Sequence, residues 1–221
     1  MSKIAYDYME SYIRSKIADH GGILKELEEY AKENSVPIIH KEVANFLDLM
    51  INIIKPKKIL ELGTAIGYSA ILMHEKSQEN TKITTIERDE KMIKIAKTNI
   101  EKCGLNKDIQ ILEGDCLDIL KSMEVENLKY DLIFMDAGKG HYNEFFPHCL
   151  NLLTEDGVII GDNVLFRGMV ASNDLVIRRK ITIVKRMRKY IDMISNEKKF
   201  TTSIIPMGDG IAVTKRRREH E

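Results

Sequence analysis

The sequence predicts an α/β protein, a mostly parallel seven-stranded sheet that closes in an antiparallel hairpin and is preceded by helices. Three observations predict it. Five short apolar runs alternate with amphipathic segments: KKILEL (57–62), KITTIE (82–87), DIQILEG (108–114), YDLIFMD (130–136) and GVIIGD (157–162). These runs are nearly uninterrupted, as in strands buried on both faces of a parallel sheet. The chain then closes with FTTSIIP (200–206), the turn MGDG and GIAVTKR (210–216), which reads as a hairpin adding an antiparallel strand.

Helices fill the rest. HKEVANFLDLMINIIK puts Val43, Phe46, Leu47, Met50, Ile53 and Ile54 near one face, and Pro56 stops it. Before it lie amphipathic segments at Tyr6–Ile17 and Ile23–Lys32, separated by Gly21-Gly22. DEKMIKIAKTNIEKCG has Asp89 as its cap and Gly104 as its stop. HYNEFFPHCLNLL and Leu175–Asn196 are the later helix candidates. No repeat or linker divides the chain, so residues 1–55 form a helical extension on a core spanning 56–221 within one domain.

Composition narrows the class. The chain is 43% hydrophobic and 31% charged with 13 Gly and 4 Pro, which excludes collagen-like and disordered proteins. Equal numbers of basic and acidic residues, 34 each, exclude a wholly basic nucleic-acid protein. The balance is uneven: residues 1–165 hold 20 Lys/Arg against 28 Asp/Glu, and residues 166–221 hold 14 against 6. Cys103, Cys116 and Cys149 form no CxxC pair, which argues against disulfides and zinc and suits a reducing cytoplasm. No secretory h-region and no apolar span of membrane length is visible, so a cytoplasmic protein without membrane insertion is expected.

Chemistry gathers at the strand ends. In ILELGTAIGYS a strand runs into a helix through Gly63 and Gly67, letting a ligand approach backbone and helix N–H groups. The spacing is not the GxGxxG of dinucleotide binding, which disfavours an NAD dehydrogenase. Glu87 ends the second strand, where a carboxylate can accept both hydroxyls of a ribose. Asp115, in EGDC after the third strand, could accept from an adenine amino group. Each acid alone could equally cap a helix. Together they point to a nucleoside without pyrophosphate, and S-adenosylmethionine fits.

The fourth strand ends in MDAGKGHY and the fifth in GDNV. If those strands are neighbours, Asp136, Asp162 and Asn163 converge as hard oxygen donors suited to Mg²⁺ (or Mn²⁺). Loop capping is the competing explanation for an Asp-Asn pair. Lys139 shares the loop with Asp136, and repulsion from a divalent cation would ease loss of its proton, so it could serve as a base.

These segments resemble the cation-dependent O-methyltransferases, the group containing catechol and caffeoyl-CoA methyltransferases. The resemblance runs from about residue 36 to 216 and rests on ILELGTAIGYSA, TTIERDEK, EGD, FMDAGKGHY and GDNVLFRGMV. VPIIHKE, VLFRGMV and IIPMGDGIAVTKRRR are most similar to bacterial tRNA 5-hydroxyuridine methyltransferases. The resemblance implies the class I methyltransferase, Rossmann-like fold. It assigns cofactor contacts to Ile39, Glu61, Gly63, Ser69, Glu87, Asp115, Cys116 and Asp136. The metal would be held by Asp136, Asp162 and Asn163, with Asp136 and Lys139 as catalytic residues. Gly138 and Ile39 depart from commoner family residues without removing a ligand.

The expected acceptor is 5-hydroxyuridine at the tRNA wobble position, which would give 5-methoxyuridine. The alternatives are a small catechol-like or hydroxycinnamoyl acceptor, or a non-catalytic tRNA- or nucleotide-binding protein. The metal trio counts against the last. Arg167, Arg178, Arg179, Lys180, Arg186, Lys215, Arg216 and Arg217 are the candidate contacts to the anticodon loop, alongside Lys185, Arg188, Lys189 and Arg218 in the same basic part. A solvated helix face is the competing explanation. The apolar face Tyr6, Met9, Tyr12, Ile13 and Ile17 is a candidate homodimer contact. His40, His74, His141 and His148 have no catalytic or zinc-like spacing and read as bystanders.

Overall fold

The structure, a computed structural model, describes residues 4–217. Its strands are β1 (Lys58–Leu62), β2 (Lys82–Glu87), β3 (Ile109–Glu113), β4 (Tyr130–Met135), β5 (Leu153–Gly161), β6 (Phe200–Ile205) and β7 (Ile211–Arg216). They form one sheet in the order β3-β2-β1-β4-β5-β7-β6. The pairs among β1 to β5 are parallel, whereas β7 runs antiparallel between β5 and β6. This is the mixed seven-stranded sheet of the class I methyltransferase fold, as the apolar runs and the hairpin predict.

Alternating side chains of the central strands enter two different cores. Ile59, Leu132, Phe134, Val158 and Ile160 face one layer with Leu24, Val43, Leu47 and Ile71. Leu60, Leu62, Ile133, Met135 and Ile159 face the other with Tyr142, Phe146, Met187 and Tyr190. A strand buried on both faces cannot afford polar alternation, which explains the continuous apolar runs. The helices of the first layer are α2 (Gly22–Asn34), α3 (Lys41–Ile54), α4 (Tyr68–Lys76) and α5 (Glu90–Lys102). The second layer holds α6 (Cys116–Val125), α7 (Tyr142–Leu152) and α8 (Ile181–Ile194). The N-terminal α1 (Asp7–Ser15) lies outside both.

Local signals end the elements where expected. Asp89 caps α5 by accepting from the backbone N–H groups of Lys91 and Met92, and Lys55 leaves α3 in a left-handed conformation just before Pro56. Three boundaries differ from the sequence expectation. The expected helix Leu175–Asn196 is helical only from Ile181, after short 3-10 turns at Asn173–Leu175 and Arg178–Lys180. Leu175 and Ile177 are 45% and 51% exposed, so no partner buries the stripe that would extend the helix. Strand β5 starts at Leu153, because the exposed Glu155 and Asp156 sit in strand geometry ahead of the apolar run. Helix α6, absent from the sequence expectation, follows directly from Asp115 as its N-cap. Among the described residues no helix is long and apolar enough to cross a membrane.

Candidate active site

A cavity of about 740 Å³ opens at the carboxyl ends of the parallel strands, where β1 and β4 lie side by side and the strand order reverses. Ile39, Gly63, Ser69, Glu87, Asp115, Cys116, Asp136, Lys139, Asp162, Asn163 and Arg167 all line it. The sheet therefore brings together residues spread over 129 positions of chain, through five strand ends.

Gly63 sits where β1 turns toward α4, with φ +99°; a Cβ there would lie 2.9 Å from the Asp136 carbonyl oxygen. Only a residue without a side chain allows these two strand ends to touch. Gly67, also at positive φ, is the N-cap of α4, and no side chain fills that cap. The carboxylate of Glu87 closes the other side of the turn. It accepts from Ala65 N at 3.0 Å and from Arg88 N and Asp89 N at 2.9 Å each. Three backbone amides thus hold a carboxylate in one orientation at the end of β2. Asp115 caps α6 through Leu117 N, and its carboxylate also lines the cavity beside Arg88, 3.4 Å away. The Cys116 thiol is pushed up to about 12 by burial and the neighbouring Asp115 and Glu87, so it is an inert wall.

Glu61 is placed differently from the other expected contacts. Its side chain is fully buried under the glycine turn rather than in the cavity lining. Thr64 and Thr85 hydroxyls lie 2.7 Å apart, and Thr85 donates to Glu61 Oε2 at 2.6 Å. Glu61 Oε1 has no hydrogen bond of normal geometry among the described residues. Burial raises this carboxyl to about 7, against the pull of the Ser69 and Thr85 hydroxyls and with added repulsion from Glu87. An orphaned buried acceptor beneath a cavity wall fits a ligand that brings a cationic N–H donor.

The acids at the ends of β4 and β5 converge. Parallel pairing sets Met135 opposite Gly161, so Asp136 and Asp162 leave adjacent strands side by side. Burial pushes Asp136 up to about 7, with Lys139 opposing and Glu61 adding to the rise. Asp162 is raised well above its usual range by burial and by Asp136. Asn163, buried and in a left-handed conformation, donates its N–H to Asp162 Oδ1 at 2.6 Å. Two desolvated carboxylates that repel one another, beside an amide oxygen, form a donor set that a hard divalent cation would neutralise. No group of three or more His, Cys, Asp or Glu among the described residues is placed to hold a metal ion by itself.

Sequence reasoning missed Asp209, His40, Tyr68 and Glu144, which also line the cavity. Asp209 lies in the MGDG turn, and because β7 pairs with β5 that turn returns beside Asp162. Recognising the β5–β7 pairing is what would have found it. Burial raises the Asp209 carboxyl, with Arg167 N–H, Lys139 and His40 opposing.

The basic residues divide into groups. Arg167 lines the cavity, and exposed Arg178 and Arg179 with Lys180 follow it in the 3-10 turn. Arg186 bonds Gly140 O at 3.2 Å and pairs with Glu144, and Arg188 bonds the Met169 and Val170 carbonyls, so both brace loops. Lys215 opposes Val158 in the β5–β7 pairing, which sets Lys215, Arg216 and Arg217 toward the amino ends of the parallel strands, away from the cavity. Lys215 pairs there with Asp156, and Arg216 donates to the Leu150 and Leu153 carbonyls. The single basic surface expected from the sequence is therefore split by the antiparallel course of β7. Arg218 lies outside the described residues.

The family model for O-methyltransferases matches residues 14–217. A catechol O-methyltransferase of Niastella koreensis is 32% identical over 77% of this chain and 78% of its own. A Staphylococcus aureus structure described as a candidate caffeoyl-CoA O-methyltransferase superposes with a TM-score of 0.87 at 31% identity, covering 96% of this chain and 100% of that one. An O-methyltransferase from Bacillus cereus, solved with S-adenosylhomocysteine, has a TM-score of 0.83 at 27% identity over 95% and 97% of the two chains. With a glycine turn, a buried carboxylate set and matches that span nearly its whole length, the chain belongs to the O-methyltransferase family.

Proposed function

We propose that the protein transfers the methyl group of S-adenosylmethionine to the 5-oxygen of 5-hydroxyuridine at the tRNA wobble position, with Mg²⁺ or Mn²⁺ held by Asp136, Asp162 and Asn163. The observation that carries the metal-assisted transfer is the buried, mutually repelling Asp136–Asp162 pair beside the glycine turn. When bound, the cofactor would supply an activated methyl group, and the cation would supply the Lewis acidity that lowers the pKa of an acceptor hydroxyl.

The chain's own residues do the rest. Gly63 lets the cofactor lie against the backbone, and Glu87, held by three amides, accepts ribose hydroxyls. Asp115 receives the adenine amino group while Ile39 and Cys116 wall the ring. Glu61 Oε1 is an unpaired acceptor for the cofactor's ammonium. Lys139 Nζ, on the Asp136 loop, takes the proton from the acceptor hydroxyl. In-line attack needs no covalent intermediate, so positioning is the larger part of the catalysis.

The basic run Arg178-Arg179-Lys180, with both arginines exposed and Lys180 over the ring of Phe166 next to the cavity-lining Arg167, supports a phosphate-bearing acceptor. A second reading, a small catechol-like or hydroxycinnamoyl acceptor, is supported by the names of the relatives. Both present two adjacent oxygens to a metal. The exposed α1 face, with Tyr6 72% and Tyr12 61% accessible, would carry a homodimer contact. A cytoplasmic enzyme would meet its tRNA there; sedimentation tests the dimer.

The deciding experiment is label transfer from S-adenosylmethionine to tRNA from cells lacking this protein and to a simple catechol, each with and without EDTA. EDTA-sensitive label on the 5-oxygen of uridine is the expected result. Label in catechol alone would establish the second reading, and label in neither would refute both.

A further inference from the structure

The loop that follows the expected metal residues has an unusual backbone. Asn163, Phe166 and Arg167 adopt φ of +58°, +45° and +56°, three left-handed non-glycine residues within five positions. Such conformations cost free energy and persist only where neighbouring structure over-determines them; they concentrate at ligand clamps. The loop carries Asn163 at one end and Arg167 at the other, and both face the cavity.

What over-determines it is the β6–β7 hairpin tip. Val164 N donates to Gly210 O at 2.9 Å and Leu165 N to Asp209 O at 3.0 Å. Arg167 N donates to the Asp209 carboxylate at 2.5 Å. The tip is itself wedged in place, since a Cβ on Gly208 would come within 3.1 Å of Val43 on α3 and one on Gly210 would overlap Leu165. The third bond is a side-chain device: the amide that follows the left-handed Phe166 finds a carboxyl oxygen there rather than a backbone carbonyl.

We infer that Asp209 is a positioning residue, holding the 163–168 loop in its left-handed course so that Asn163 and Arg167 are both presented to the cavity. The inference rests on the O-methyl-transfer reading for what the loop does, but the clamp itself can be measured without it. Hydrogen exchange at the Arg167 amide reads the bond directly. Asp209→Ala removes the acceptor, and Asp209→Asn keeps an oxygen for it. The expected result is a drop of about tenfold in Arg167 amide protection for the alanine variant, the weight of one such bond, with the asparagine variant close to wild type. Mn²⁺ affinity by paramagnetic resonance should fall by a similar factor in Asp209→Ala alone, while cofactor affinity stays within about twofold.

A double variant guards against simple damage to the fold. Glycine adopts positive φ freely, so Phe166→Gly placed in the Asp209→Ala background should recover Mn²⁺ affinity, while the Arg167 amide, still without its acceptor, stays as exposed to exchange as in Asp209→Ala. Equal Arg167 protection in the wild type and Asp209→Ala would overturn the inference, as would alanine and asparagine variants that are equally impaired. An absence of Mn²⁺ binding in the wild type would sink the metal reading instead, with the clamp still judged by hydrogen exchange in the alanine and asparagine variants.

Discussion

Replacing Glu61 by Gln tests whether a buried charge beneath the glycine turn is kept at a cost. The carboxyl is wholly buried and raised from 4.5 to about 7, chiefly by desolvation. In the folded state it therefore holds a proton that the unfolded chain has already released between about pH 4.5 and 7. Its favourable contribution is complete below pH 4.5 and is lost as the pH rises through 7, so at pH 8 the folded protein carries the full penalty. Two and a half pH units correspond to about 3 kcal/mol. Glutamine carries no charge to desolvate, keeps an oxygen for the Thr85 hydroxyl at Oε2, and can turn its amide toward Ser69. The ligand-free variant should be more stable than wild type by about 2–3 kcal/mol at pH 8 and no more stable at pH 4.5. Urea denaturation at both pH values measures this, and Asp136 and Asp162, present in both proteins, largely cancel in the difference. Cofactor affinity should fall in parallel by about tenfold, because the orphaned Oε1 would no longer meet an ammonium as an anion. A stability difference that is the same at the two pH values would refute the reasoning.

Other perturbations follow from the same geometry. Gly63→Ala forces a Cβ to 2.9 Å from the Asp136 carbonyl at φ +99°, so it should lose about 2–4 kcal/mol in a urea melt and bind cofactor poorly by calorimetry. Arg14→Ala leaves the buried Glu10 and Glu42 carboxylates without their cation; since Arg14 is 33% exposed, a loss of about 2–3 kcal/mol is expected in thermal or urea unfolding. The pair Arg178→Glu and Arg179→Glu should raise the KM for tRNA at least about tenfold and flatten its salt dependence, while label transfer to catechol stays unchanged.

The local signals in this sequence were sufficient for the sheet and for most of the site. Apolar runs buried on both faces announce parallel strands, Asp89 announces a helix start, and Gly63 announces a backbone approach that no other residue permits. Because a parallel sheet gathers its carboxyl ends, the order of Gly63, Glu87, Asp115, Asp136 and Asp162 along the chain was enough to place them at one cavity. These candidates are legible for that reason: each is the last residue of a strand or lies within two residues beyond one, and the strand's own hydrophobicity reveals it.

What lay beyond the sequence depends on contacts between distant segments. The apolar spacing from Leu175 onward continues as if helical, yet the helix waits until Ile181 because Leu175 and Ile177 stay about half exposed on the earlier turns. The basic residues form one cluster along the chain but two groups in space, since β7 runs back along β5 and carries Lys215 and Arg216 to the opposite end of the sheet. That pairing also returns Asp209 to the cavity, and composition contains no trace of it. Glu61 shows the same division most clearly. Its place near the end of a strand is written in the pattern of residues, but its burial, its hydroxyl neighbours Thr85 and Ser69 and its raised pKa arise only when the glycine turn folds over it and water is excluded.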